Sequence, residues 1–145
     1  MKKTLVRFFG TSIILWALCM FGLPAQAHAQ GAVAFQLSAD TGNGPVRQTL
    51  PQVIHVMNYG SAEATNVTLT FTPPKGAKVD SACQIDHLPG GLRSYTCSVG
   101  AIGGGQTVDV PFSLSMTKPA QVEIAVDVTC NEGATAQTTL YVSIN

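Results

Sequence analysis

From Val108 to Met116 every second residue is apolar: Val108, Val110, Phe112, Leu114 and Met116. A helix, with its period of 3.6, would scatter these groups around its circumference, whereas a strand puts all of them on one face. The same alternation runs through Val122, Ile124, Val126 and Val128, and through Thr138, Leu140, Val142 and Ile144. It also marks Val67, Leu69 and Phe71, and Val33, Phe35 and Leu37. In Leu50 to Asn58, Ile54 and Val56 share one face, with Val53, His55 and Met57 on the other. Turn formers separate these runs: Gly42-Asn43-Gly44-Pro45, Asn58-Tyr59-Gly60-Ser61, Pro73-Pro74-Lys75-Gly76, His87 to Gly91, Gly103-Gly104-Gly105 and Asn131-Glu132-Gly133. Short strands around 77–82 and 92–99 flank the His87 turn, and the triple glycine reads as a hairpin connection. No segment after Pro24 carries a helical stripe. The expectation is an all-β fold, an immunoglobulin-like antiparallel β-sandwich of seven to eight strands. Its solvent faces carry mostly Thr, Ser, Gln and Asp.

The start of the chain does not follow this pattern. Lys2, Lys3 and Arg7 precede a run of 16 residues from Phe8 to Leu23 that is almost wholly apolar, then Pro24 and two small-x-small sites ending at Ala27 and Ala29. That order is a secretory signal peptide, residues 1–29, ahead of one domain, residues 30–145. A membrane anchor is the competing reading, which Pro24 and the Ala-x-Ala sites disfavour. Lipidation at Cys19 is disfavoured by Leu18 before it and the apolar run after it. Removing 29 of the 145 residues leaves 116, with 5 Lys+Arg against 8 Asp+Glu. The balanced charge of the whole chain becomes −3. This argues against a nucleic-acid partner, and no membrane span is expected after cleavage.

Export implies an oxidising compartment, where cysteines pair. Cys83 and Cys97 flank the His87–Gly91 turn on adjacent strands and form the expected disulfide. Cys130 is then left as a buried free thiol, an intermolecular bridge, or the true partner of one of the others. A zinc set of Cys83, His87, Cys97 and Cys130 is conceivable, but secretion favours disulfides and no Cys-x-x-Cys knuckle is present. His55, Met57 and Met116 are conceivable copper ligands, although methionines at alternating positions more often serve the core.

No catalytic pattern emerges. There is no Gly-x-Ser-x-Gly elbow, and His55 and His87 lack a recognisable nucleophile and carboxylate nearby in sequence. The glycines at 103–105 are not followed by the Lys-Ser/Thr of a phosphate loop. Asn66-Val67-Thr68 fits a glycosylation acceptor, but inside a strand. No catalytic, cofactor or metal residue is therefore expected.

The stretch Asn58-Tyr59-Gly60-Ser61-Ala62-Glu63-Ala64-Thr65-Asn66-Val67-Thr68-Leu69 resembles the "N-x-G-x-x-x-A-x-x-V" signature of a repeated bacterial surface domain, catalogued as domain of unknown function eleven. The likeness continues through Pro74-Lys75-Gly76-Ala77 and from Tyr95 to Gln106, and spans roughly Gly31 to Asn145. The resemblance implies an immunoglobulin-like, cell-adhesion-type building block without catalytic residues. In physical terms, Asn58 bonds local backbone at a tight turn, and Gly60 is expected there for positive φ. The chain departs from the family in carrying a single copy. The functional expectation is a secreted or periplasmic, non-catalytic structural or binding module of the bacterial envelope. It would engage an unidentified protein or envelope component through a sheet edge or the loops at 41–46, 86–91 and 103–105, with oligomers possible, for instance through Val33–Leu37 acting in trans. The alternative is a small metal-handling or enzymatic sandwich using Cys, His and Met ligands.

Overall fold

The computed structural model describes residues 31–145. The expected signal peptide and both of its expected cleavage sites lie outside the described residues. Among the described residues nine strands form, one more than the upper expectation: β1 (Phe35–Thr41), β2 (Leu50–Asn58), β3 (Ala64–Thr72), β4 (Lys78–Asp80), β5 (Gln84–His87), β6 (Arg93–Ile102), β7 (Thr107–Ser115), β8 (Ala120–Thr129) and β9 (Thr135–Ile144). They make two antiparallel sheets, β1-β2-β7-β4 and β5-β6-β3-β8-β9. The inward faces of the alternating runs meet between the sheets. Phe71 stacks on Tyr95 within one sheet, with ring centroids 5.1 Å apart, and meets Phe112 of the other at 4.7 Å. The sandwich expectation is met, and the predicted inward residues Ile54, Val67, Leu114, Ile124 and Val142 are fully buried in its core, joined there by Tyr95 and Ile102.

Three local features differ from the sequence reading. The expected strand around 77–82 is only the short β4, which pairs with β7, and a further strand, β5, follows it and pairs with β6 of the other sheet, so that His87 ends a strand instead of opening a turn. The triple glycine joins β6 to β7 across the sandwich, so it is an arch between sheets and not a hairpin. A hairpin and an arch call for the same turn residues, which is why the two cannot be told apart from composition. In β3, Ala64 and Val67 both face inward although they lie three apart. The register against β6 slips there, with Asn66 at φ 48° and Gly100 at φ 91° supplying compensating bulges. Each strand takes up one extra residue, so the inward register of both is restored beyond the bulge.

The inner face of β2 is not wholly apolar. Gln52 and Asn58 lie on it, 1% and 0% exposed. The Gln52 amide donates to the Gly42 carbonyl at 3.0 Å and accepts from the Gly42 N–H at 3.1 Å. It thereby fastens the loop that leaves β1, and that loop runs on to the last strand. Gly44 pairs with Ile144 in a parallel bridge, and the Val46 N–H donates to the Asn145 carbonyl at 2.9 Å. The first and last strands are thus joined at one end of the sandwich.

Candidate functional site

The two sheets end in four edge strands, and they are not alike. β4 has 3 residues and β5 has 4, too short to template much pairing. β1 has 7 residues and carries Asp40. β9 has 10 residues, Thr-Ala-Gln-Thr-Thr-Leu-Tyr-Val-Ser-Ile, without charge, proline or glycine. Charge, proline and short length are the usual guards of an edge, and β9 has none of them.

The state of its backbone can be read from one residue. The Ser143 N–H donates to Asn43 Oδ1 at 2.8 Å, and its carbonyl accepts from the Gly44 N–H at 3.2 Å. Both groups therefore point away from β8. Backbone direction alternates along a strand, so Thr135, Gln137, Thr139 and Tyr141 also aim their N–H and C=O groups outward. The 43–46 loop bonds only to Ser143 and Asn145, so among the described residues the outward groups of Thr135–Tyr141 have no backbone partner, although β1 lies alongside β9. On the outer face of that row Tyr141 is 55% exposed.

Beside the start of β9 lies an open groove of about 750 Å³, lined by small residues such as Gly31, Ala62 and Ala134 and by Glu132. Its carboxylate is already engaged. Thr65 Oγ1 donates to Glu132 Oε1 at 2.6 Å and the Thr65 N–H to Oε2 at 2.9 Å. The hydroxyl bond first, and the amide bond second, hold Glu132 down to about 2.

The turn motif Asn58–Gly60 is structural. The Asn58 Nδ2 group donates to the carbonyls of Ala62 at 2.7 Å and Ile102 at 3.0 Å. Its Oδ1 accepts from the N–H groups of Gly60 at 3.1 Å and Ala34 at 3.4 Å. One buried amide thus ties the segment before β1, the β2–β3 loop and the end of β6. Gly60 does not have positive φ, contrary to expectation. A Cβ at Gly60 would instead overlap the Ala32 carbonyl oxygen, so close approach is what demands glycine.

Cys83 and Cys97 are disulfide-bonded, with Cα atoms 4.5 Å apart. Cys130 is the free cysteine among the described residues, and its Sγ lies 3.6 Å from the Ala134 carbonyl, to which it donates. Two of the three sulfurs of the conceivable zinc set are therefore consumed. Among the described residues no three His, Cys, Asp or Glu side chains are grouped to hold a metal ion. Met57 faces outward beside His55, whereas Met116 packs against the core after β7, so the conceivable copper set is split across the fold.

His55 has partners that the sequence reading missed. On the outer face of the four-stranded sheet its Nδ1 lies 2.7 Å from Asp109 Oδ1 on β7, and its Nε2 lies 3.2 Å from Asp40 Oδ2 on β1. The Asp109 hydrogen bond is the main cause of a raised His55 pKa, opposed by partial burial and reinforced by Asp40. The only signal was the alternation itself, which places odd positions of β2 and β7 on one face, but pairing across 54 residues requires the register. With both ring nitrogens engaged by carboxylates, the cluster works as an ion-paired cross-strand tie. His87 lies on β5, apart from it.

Among the described residues no helix is long and apolar enough to cross a membrane. No family model matches the chain, and no curated protein does. Among solved structures it is similar to a cohesin module from a Clostridium perfringens family 33 glycoside hydrolase, at 11% identity and a TM-score of 0.55, covering 79% of this chain and 98% of that one. It is also similar to the CARDB domain of the PF1109 protein from Pyrococcus furiosus in complex with di-metal ions, at 15% identity and a TM-score of 0.47, covering 79% and 93%. A third similarity is to the secreted serine protease VesC from Vibrio cholerae, at 17% identity and a TM-score of 0.48, covering 77% of this chain and 23% of that one. Such identities speak to fold alone, and the fold is that of an immunoglobulin-type β-sandwich.

Proposed function

We propose that this chain is a secreted or periplasmic, non-catalytic structural or binding module of the bacterial envelope, of the kind its resemblance to domain of unknown function eleven implies. The observation that carries this reading is the uncharged edge strand β9, whose backbone at Thr135–Tyr141 has no hydrogen-bond partner on its outer side. Strand addition at such an edge takes affinity from main-chain hydrogen bonds and specificity from alternate side chains. The disulfide supports an oxidising compartment, and the leader-like residues 1–29 support export. A photocrosslinking residue at Gln137 on the β9 edge, or at the exposed loop residue Leu88, should trap a discrete envelope adduct in cells. The same probe at Pro111, exposed in the middle of β7 on a sheet face, should not. Adducts equal at all three positions, or none anywhere, would count against an edge or loop docking module.

A further inference from the structure

Charge is unevenly placed on this sandwich. All five Lys and Arg side chains of residues 31–145 lie at the end where β2 begins. Arg47 is in the β1–β2 loop, Lys75 in the β3–β4 turn and Lys118 in the β7–β8 loop, while Lys78 and Arg93 are the first residues of β4 and β6. The connections at this end, 42–49, 73–77, 88–92 and 116–119, contain no Asp or Glu. Those at the other end carry Glu63 and Glu132 and no cation. A strand of 10 residues such as β8 separates the two ends. At about 3.3 Å per residue that is about 33 Å, several times the screening length of about 8 Å in physiological salt. The glutamates of the far end therefore do not cancel the field of the basic end.

Three of these cations converge. Lys75, Lys78 and Arg93 line one pocket of about 340 Å³ between the β3–β4 and β5–β6 turns. Both turns are held by their own backbone. The Ala77 N–H donates to the Pro74 carbonyl at 3.2 Å, with Gly76 at φ 92°, which is the form of a type II turn with Lys75 at its corner. Across the other turn the Leu88 N–H donates to the Leu92 carbonyl at 3.0 Å. Lys75 leans from one turn to the other, since a Cβ built on Gly91 would lie 3.8 Å from its Cε and 3.9 Å from its Nζ. All three side chains are exposed, and among the described residues none of them is in a salt bridge. The carboxylates adjacent in register are Asp80, further along β4, and Asp86, opposite Ser94. Asp86 accepts from Thr96 Oγ1 at 3.1 Å, and neither carboxylate lines the pocket.

We infer that this pocket is a binding site for a phosphate group. Arg93 brings a planar fork that pairs with two oxygens at once, and the two ammonium groups bring point charges from the other wall. A carboxylate has only two oxygens and one charge to offer them. A phosphate monoester has three acceptor oxygens and up to two charges, which suits three cations drawn from two walls. The site shares no residue with β9, so it does not depend on strand docking there.

Inorganic phosphate is the probe for the test. At constant pH and ionic strength, NMR spectra of the purified protein should show the amides of Gly76, Gly91 and Arg93 moving along one saturable curve with phosphate, and far less with acetate. Arg93→Gln and Lys75→Gln should each raise the dissociation constant by about tenfold, with the rest of the spectrum unchanged. Lys118→Gln removes a charge from the same end but outside the pocket, and should change it by less than about twofold. No saturable response, an equal response to acetate, or a Lys118→Gln loss as large as that of Arg93→Gln overturns the site. Vesicles of phosphatidylglycerol in phosphatidylcholine separate the sources of the phosphate. Cosedimentation that Arg93→Gln abolishes assigns a lipid headgroup, whereas binding of free phosphate without cosedimentation assigns a soluble phosphate ester. Crosslinking at Gln137 is read separately, so failure of the pocket leaves the β9 reading standing, and the reverse.

Discussion

Asn58 is the residue on which most local structure converges. Its amide makes four hydrogen bonds, all to backbone groups, and they reach three separate segments of the chain. Truncating it strands buried donors and acceptors, each worth on the order of 1–3 kcal/mol when left unmade. Asn58→Ala should therefore destabilise the fold by about 3 kcal/mol or more in a denaturant titration. His55 behaves differently, because its partners are exposed and its bonds depend on charge. Its folded pKa is raised above the ordinary 6.5, so its contribution is complete below that value and fades as pH rises through the folded value. At this exposure the pair is worth less than about 1 kcal/mol. His55→Gln should remove that loss of stability between neutral and mildly alkaline pH, and an NMR titration of Asp109→Asn should show the His55 pKa moving down. Neither arrangement was legible in the sequence. Asparagine before a glycine reads as a turn, which is true of Asn58 and Gly60, but nothing in a linear pattern shows a turn residue fully buried.

The strands repeat this division between what alternation reveals and what it leaves hidden. β7, β8 and β9 each bury one face and wet the other, so their period of two was plain from the residues. β4 and β5 are too short to hold a period, and only tertiary pairing decides that one joins each sheet. The bulge between Ala64 and Val67 hid behind the same limitation, since three residues between inward positions breaks the period that locates a strand. Cys83 and Cys97 were legible as a pair because strands on either side of a short turn bring their residues together. Their bond has a sequence separation of 14, and a loop of that size stabilises by about 3 kcal/mol in the chain-entropy account. Replacing both cysteines with serine should lower the unfolding free energy by about that amount, with Cys130 left in place to show whether a non-native bridge forms. Gly60→Ala should also destabilise, because the Ala32 carbonyl has to move aside; weakened hydrogen-exchange protection of the Tyr59 amide, which donates to Ala34, would report it.

For the molecule as a whole, the charge that matters is that of the region after residue 29. Its balance of 5 basic to 8 acidic side chains leaves long strands without a charge, β9 among them. Mass spectrometry of the exported protein should find a chain beginning at His28 or Gln30, the residues that follow the two Ala-x-Ala sites. A chain still bearing Met1 would remove the compartment argument. The sandwich also has a mechanical grain. Gly31 lies beside Ser61 at the end where β2 finishes, while Asn145 lies beside Gly44 at the end where β2 begins. A pull between residues 31 and 145 therefore runs along the strands, and the bonds of Gly44 and Val46 to β9 share it with the β1–β2 ladder. Hydrogen bonds loaded side by side in shear must fail together, whereas bonds unzipped from one end fail singly. The short parallel clasp at the top of the sandwich makes this domain a link that resists stretching along its length, and one that opens more easily when pulled across it.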